Sequence, residues 1–93
     1  MAPNSVVLES HGSVIVPRER RWRKRVALAV VNLAQRFKSD ILLCAGSMSI
    51  DAKSSLMALM MLDALKGQGL QLTARGADSE LAVQSLTRIF QIA

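Results

Sequence analysis

Cysteine, histidine and tryptophan occur once each in this chain of 93 residues, tyrosine not at all, and phenylalanine and proline twice each. With Cys44 alone no internal disulfide can close, and with His11 as the single histidine most transition-metal sites lack ligands. A cytoplasmic protein without metal or cofactor is the expectation. The same scarcity removes Ser-His-Asp and Cys-His nucleophile pairs unless His11 is the base, and nothing around His11 supports that role. No catalytic residue is assigned, and an enzyme in the usual sense is not expected. Aromatics make up 3% of a chain that is 51% hydrophobic, so the core must be built from Leu, Val, Ile, Ala and Met. That content excludes a disordered chain, and the length allows one domain. A membrane-length apolar run is also missing. RERRWRKR followed by VALAVVNLA imitates an export signal, but the apolar stretch falls short of the roughly 20 residues a span requires and is broken by Asn32. No membrane insertion is expected.

What is present is charge, in one place. Residues 18–25 hold six bases (Arg18, Arg20, Arg21, Arg23, Lys24, Arg25) and one acid (Glu19), while the rest of the chain balances at six against six. The whole net charge of +5 therefore sits in eight residues. Such density on an otherwise neutral domain favours an anionic partner: phosphate, an acidic protein, nucleic acid or a lipid headgroup.

Residues 1–12 read as a leader, flexible or carrying an added edge strand near Val6 to Leu8, and residues 13–93 as the domain. Residues 13–16 are a short β-branched run closed by Pro17, the pattern of a strand entering a loop. Val26, Val30, Leu33 and Phe37 recur at helical spacing, widened by Ala27, Val31 and Ala34, which predicts a helix from about Arg23 to Phe37. DILLCA and MSIDA flank a turn at AGS and predict a hairpin over 40–45 and 48–52. SSLMALMMLDAL, ending at KGQG, predicts a short helix from about Ser54 to Leu65. Leu70, Leu72 and Ala74 alternate with polar residues in a last strand. Asp78, Ser79 and Glu80 cap and charge a final helix whose apolar face is Leu81, Ala82, Leu86, Ile89 and Phe90. Cys44 falls in a strand expected to be buried, and one of Met57, Met60 and Met61 is expected to face outward. The order βαββαβα predicts an α+β open-faced sandwich, one four-stranded antiparallel sheet covered on one face by three helices. A ferredoxin-like split βαβ fold shares the first six elements, so order alone does not decide.

From Phe37 to Phe90 the segments FKSDILL, AGSMSIDAKSSLMALMML and LKGQGLQLTARGADSELAVQSL resemble HPr, the histidine-containing phosphocarrier of the bacterial phosphotransferase system. DAKSSLMALMML is similar to the family's helix in which a serine follows a lysine and a Met and Leu patch faces partners. By position that serine is Ser54, the place where an ATP-dependent HPr kinase phosphorylates many members. The patch corresponds to Ser55, Leu56, Leu59 and Met60. Extending the alignment backwards without gaps sets the family's carrier motif G-L-H-[AT]-R-P-A on residues 21–27. Arg23 then stands where the histidine belongs, Arg25 and Ala27 match, and Val26 replaces proline.

A histidine there accepts phosphate because its ring nitrogen is nucleophilic near neutral pH. Arginine stays protonated and binds phosphate without relaying it. The resemblance therefore implies an HPr fold that has lost the carrier step, as in Crh-type relatives, with a regulatory or protein-binding role. Its implied partners are phosphotransferase enzymes, HPr kinase or a transcriptional regulator. Arg23, Lys24 and Arg25 are candidates for an anion or partner contact, Leu56 and Met60 for an apolar one, and Ser54 for a phosphorylation switch. The alternative is a basic-patch binder of nucleic acid or acidic surfaces on the same fold.

Overall fold

The computed structural model describes residues 8–92. The elements are β1 (Glu9–Ile15), α1 (Arg20–Ala34), β2 (Asp40–Ala45), β3 (Met48–Asp51), α2 (Ser55–Ala64), β4 (Gly69–Arg75) and α3 (Ser79–Ile92). All strand pairs are antiparallel and the sheet order is β1-β4-β2-β3. Order and class match the reading from the sequence.

The boundaries depart most at β1 and α1, and α1 also ends at Ala34, three residues before the expected Phe37. β1 begins at Glu9 and therefore uses part of the segment read as a leader. Pairing across Glu9↔Arg75 and Ser10↔Ala74 extends it, since ladder bonds to β4 outweigh the weak strand propensity of ESHG. The added strand near Val6 to Leu8 lies, apart from Leu8, outside the described residues. α1 begins three residues before the expected start because Arg and Lys are good helix formers and nothing after Pro17 breaks the chain.

Register explains the two faces of the sheet. Gly12, Leu72, Leu43 and Ile50 lie in one row on the inner face, and Ser10, Ala74 and Ile41 in another. Leu43, Leu70, Leu72 and Ile41 are fully buried against Val26, Val30, Ala58, Leu62 and Leu86 of the helices. The outer rows are His11, Thr73, Leu42, Asp51 and Ser13, Gln71, Cys44, Ser49, and none of their residues is fully buried among the described residues. Cys44 is consequently half-buried on the open face, its Sγ 3.0 Å from Ser49 Oγ, and not in the core. Being in an antiparallel strand with one wet face, it followed the period of two and not the apolar run around it. The hairpin turns through Gly46 and Ser47, with Gly46 at φ +58°, a left-handed value that glycine reaches without strain.

The final helix also departs from expectation. Leu81 is exposed, and Val83 joins Ala82, Leu86 and Phe90 in the core. The 3.6-residue period puts 82, 83, 86 and 90 on one stripe and turns 81 away from it. Asp78 does more than charge this helix. Its carboxylate accepts hydrogen bonds from the backbone N–H groups of Lys38 (2.8 Å) and Ser39 (2.9 Å) and from the Ser39 hydroxyl, which clasps the α1–β2 connection to the start of α3.

Candidate functional site

The site grows from the junction of β1 and α1. Val16 is fully buried and exchanges backbone bonds with the α2–β4 connection, its N–H donating to Gln68 and its carbonyl accepting from Gly67. Pro17 ends the strand, and Glu19 caps α1 without a side-chain hydrogen bond. The first turn carries no acid. Cations therefore crowd the positive end of the helix dipole, an arrangement that costs about 0.3–1 kcal/mol for each at low salt.

Arg23 is the exception to their exposure. It shares the face of Val26, Ala27 and Val30, so the helix carries it inward and leaves 8% of its side chain accessible. A buried guanidinium needs an anion and hydrogen-bond acceptors. Asp63, in the last turn of α2, meets Arg23 Nε at 3.1 Å, and Arg23 Nη1 donates to the Arg18 carbonyl. Arg23 is thus an internal tie between α1, α2 and the β1–α1 loop. Its charge, expected to meet an external anion, is met in this structure by Asp63. Sequence reasoning missed Asp63, although two signals were present. Arg23 lies on the apolar stripe, and Asp63 is the one acid in a helix otherwise made of apolar and hydroxyl residues.

Lys24 and Arg25 point outward with Arg20 and Arg21, and none of the ion pairs among the described residues involves them. Arg25 places its guanidinium 5.2 Å from the centre of the Trp22 ring, a cation–π contact that leaves the indole 38% exposed. α1 and α2 are antiparallel neighbours, tied at one end by Arg23 with Asp63 and at the other by Gln35 Nε2 on the Lys53 carbonyl. Between the ties Lys24, Ala27, Leu28, Ser55, Leu56 and Leu59 line a groove of about 450 Å³. Leu28 (62% exposed), Leu56 (66%) and Met60 (59%) stand above the surface, while Leu59 is half-buried. Met57 is exposed as well, so two of the three methionines face out and only Met61 fills the core.

Ser54 caps α2, its Oγ accepting a long bond (3.5 Å) from the Met57 N–H. Ser54 does not line the groove but directly precedes Ser55, which does. Lys53 donates from Nζ to the Phe37 carbonyl and so closes the loop behind the cap. His11 lies elsewhere. It is in the middle of β1, paired in register with Thr73, on the face of the sheet opposite the helices. Its Nδ1 is 3.2 Å from Thr73 Oγ1 and its Nε2 is 2.7 Å from Glu9. The structure therefore unites Lys24 with Leu56 and sets Ser54 and Met60 nearby, but keeps His11 on a separate surface.

Residues 11–91 match the family model described as "PTS HPr component phosphorylation site". The chain belongs to the HPr family. Its members are phosphocarriers of the phosphotransferase system and not catalytic enzymes, and they work through contacts with other proteins of that system. The chain is 36% identical over 67 residues to the phosphocarrier protein HPr of Treponema pallidum, covering 72% of this chain and 75% of that one. The crystal structure of HPr-C-His from Thermoanaerobacter tengcongensis superposes with a TM-score of 0.76 at 26% identity, covering 88% of this chain and 91% of that one. An HPr from Bacillus anthracis gives 0.71 at 27% identity, covering 92% and 99%. The HPr fold accounts for the groove: α1 and α2 lie side by side because the antiparallel sheet needs cover on one face only. Among the described residues no helix is long and apolar enough to cross a membrane.

Proposed function

We propose that this HPr-family chain is a regulatory, protein-binding member that no longer relays phosphate through a histidine. The observation that carries the reading is Arg23. By the ungapped reading of the sequence it stands where the family's histidine belongs, and its guanidinium is turned inward onto Asp63. A permanently charged, non-nucleophilic group held by an internal carboxylate has neither a lone pair nor an opening to accept a phosphoryl group. The surroundings of His11 point the same way. Both ring nitrogens have partners within the sheet, and the partner at Nε2 is the Glu9 carboxylate, whose charge repels a phosphate.

The partner surface is the groove between α1 and α2. Leu56 and Met60 supply apolar contact on an adaptable, methionine-bearing ridge, and Lys24 and Arg25 supply attraction for an acidic rim. Ser54 is the switch. A phosphate there would sit at the start of α2, where helix N–H groups favour it, and would add about −1.5 to −2 charges beside the groove. That charge would cancel much of the attraction of Lys24 for an acidic partner.

Peptide-mapped phosphorylation tests this directly. The protein is incubated with phosphoenolpyruvate and enzyme I of the phosphotransferase system, and separately with ATP and an HPr kinase. Phosphate on Ser54 from ATP, with none from phosphoenolpyruvate, is the expected result. Acid-labile phosphate on His11 would overturn the loss of carrier activity, and no modification in either arm would remove Ser54 as the switch.

A further inference from the structure

We propose that the exposed start of α1 adsorbs to anionic lipid surfaces. Four cations, Arg20, Arg21, Lys24 and Arg25, fall within the first six residues of the helix, all are exposed, and none is in an ion pair among the described residues. Folding does not select them, because each opposes the helix dipole and none contributes to the core. An external anion is what stabilises such a set.

Their arrangement identifies the kind of anion. Arg23, the one cation of α1 aimed inward, is closed by Asp63, so the others do not converge on a pocket that would enclose a single phosphate. They spread over the outer side of one and a half turns, a fit for a laterally continuous layer of negative headgroups. Apolar groups accompany them. Trp22 is 38% exposed beneath the Arg25 guanidinium, and a half-wet indole is the side chain that settles at headgroup depth. Leu28 follows Arg21 and Arg25 on the same outward stripe, and Leu56 and Met60 project from the adjoining helix. A duplex backbone gains little from exposed aliphatic side chains. The boundary between headgroups and acyl chains accommodates cations and aliphatics together. This inference does not depend on whether the carrier step is lost, since it uses no phosphoryl chemistry.

Trp22 is the only tryptophan, so it reports its own environment. The full chain is mixed with vesicles of equal parts phosphatidylcholine and phosphatidylglycerol, with vesicles of phosphatidylcholine alone, and with an unrelated DNA duplex. The expected result is cosedimentation with the anionic vesicles only, a blue shift of Trp22 emission on binding, and reversal of both by salt. At low salt the triple variant Arg20→Gln, Arg21→Gln, Lys24→Gln loses about a hundredfold in vesicle affinity, taking roughly fivefold per cation. These residues are exposed, and an unchanged circular dichroism spectrum confirms that the variant is folded. Failure to bind anionic vesicles, or binding with Trp22 emission unmoved, overturns the proposal. Tighter binding to the duplex than to the vesicles at equal salt assigns the patch to nucleic acid instead.

Discussion

The tie between Arg23 and Asp63 makes an asymmetric prediction. Asp63→Asn keeps the size of the side chain but removes the anion, leaving a guanidinium with 8% of its surface in water and only neutral acceptors, the amide oxygen and the Arg18 carbonyl. Breaking a fully buried pair costs about 3–5 kcal/mol. Asp63, however, keeps 47% of its side chain in water, so its attraction is partly screened and the loss is nearer ~1–2 kcal/mol. A further offset comes from the helix itself. A carboxylate in the last turn of α2 opposes the dipole, and its removal returns about 0.3–1 kcal/mol. The net expectation is a loss of about 1 kcal/mol, or ~4–8 °C in Tm for a domain of this size. Arg23→Met should behave differently. It removes the buried charge along with the pair, keeps an apolar stem against Val26 and Ala27, relieves the dipole at the start of α1, and leaves Asp63 free to hydrate. Its cost should fall within about 0.5 kcal/mol of zero. The double variant should be more stable than Arg23→Met alone by the same ~0.3–1 kcal/mol, because Asp63→Asn then removes only a carboxylate that opposes the α2 dipole. Urea denaturation followed by far-ultraviolet circular dichroism, with an unchanged slope, measures all three. If Arg23→Met costs more than Asp63→Asn, Arg23 acts mainly through packing and the electrostatic reasoning fails.

Two other features give expectations of the same kind. The Asp78 carboxyl is held below its ordinary value, first by the hydrogen bond from the Ser39 hydroxyl and then by the Lys38 amide. Because the folded value lies below the unfolded one of about 3.9, the clasp contributes fully above that pH and is lost as pH falls through the lowered folded value. Asp78→Ala should therefore reduce stability at pH 7 and flatten the acid limb of the stability curve, and an unchanged limb would show that another carboxylate carries it. Gly76 adopts φ +150°, and a Cβ there would stand 2.8 Å from Ser39 Cα, a backbone atom. Gly76→Ala should cost about 1–3 kcal/mol, measured by thermal denaturation, because the conformation is strained for any L side chain and the obstacle cannot swing away.

Much of the architecture was legible because periodicity is a local property. Val26 and Val30 marked the covered side of α1, Leu70 and Leu72 that of β4, and the glycine between β2 and β3 announced its turn. Cys44, Leu81 and Arg23 were misplaced for related reasons. Each lies in a run whose composition suggests one environment, while its phase along the element dictates the other. Residue type suggested burial for Cys44 and Leu81 and exposure for Arg23, and phase prevailed in all three. Asp63 and the reach of Asp78 to the Lys38 and Ser39 amides were beyond local reading. Both join residues some forty positions apart, and nothing in a linear sequence states which remote group a carboxylate will meet. The groove was half legible. Leu56 and Met60 were named from the resemblance, whereas Leu28, on the facing helix, carried no motif and emerged only when α1 and α2 were seen side by side.

The strand order β1-β4-β2-β3 has a consequence for how the chain acquires its fold. β4, the sixth element, is the central partner of both β1 and β2, and the pairing of Glu9 with Arg75 spans nearly three quarters of the sequence. No native sheet beyond the β2–β3 hairpin can exist until residues 69–75 are available. During synthesis β1 emerges first and waits for nearly the whole chain before it finds a ladder partner. Its polar sequence ESHGS suits that interval, because an apolar strand left unpaired for so long would seek another chain. The hairpin and the helices can form early from local contacts, and closure of β1 onto β4 is the long-range step that completes the domain.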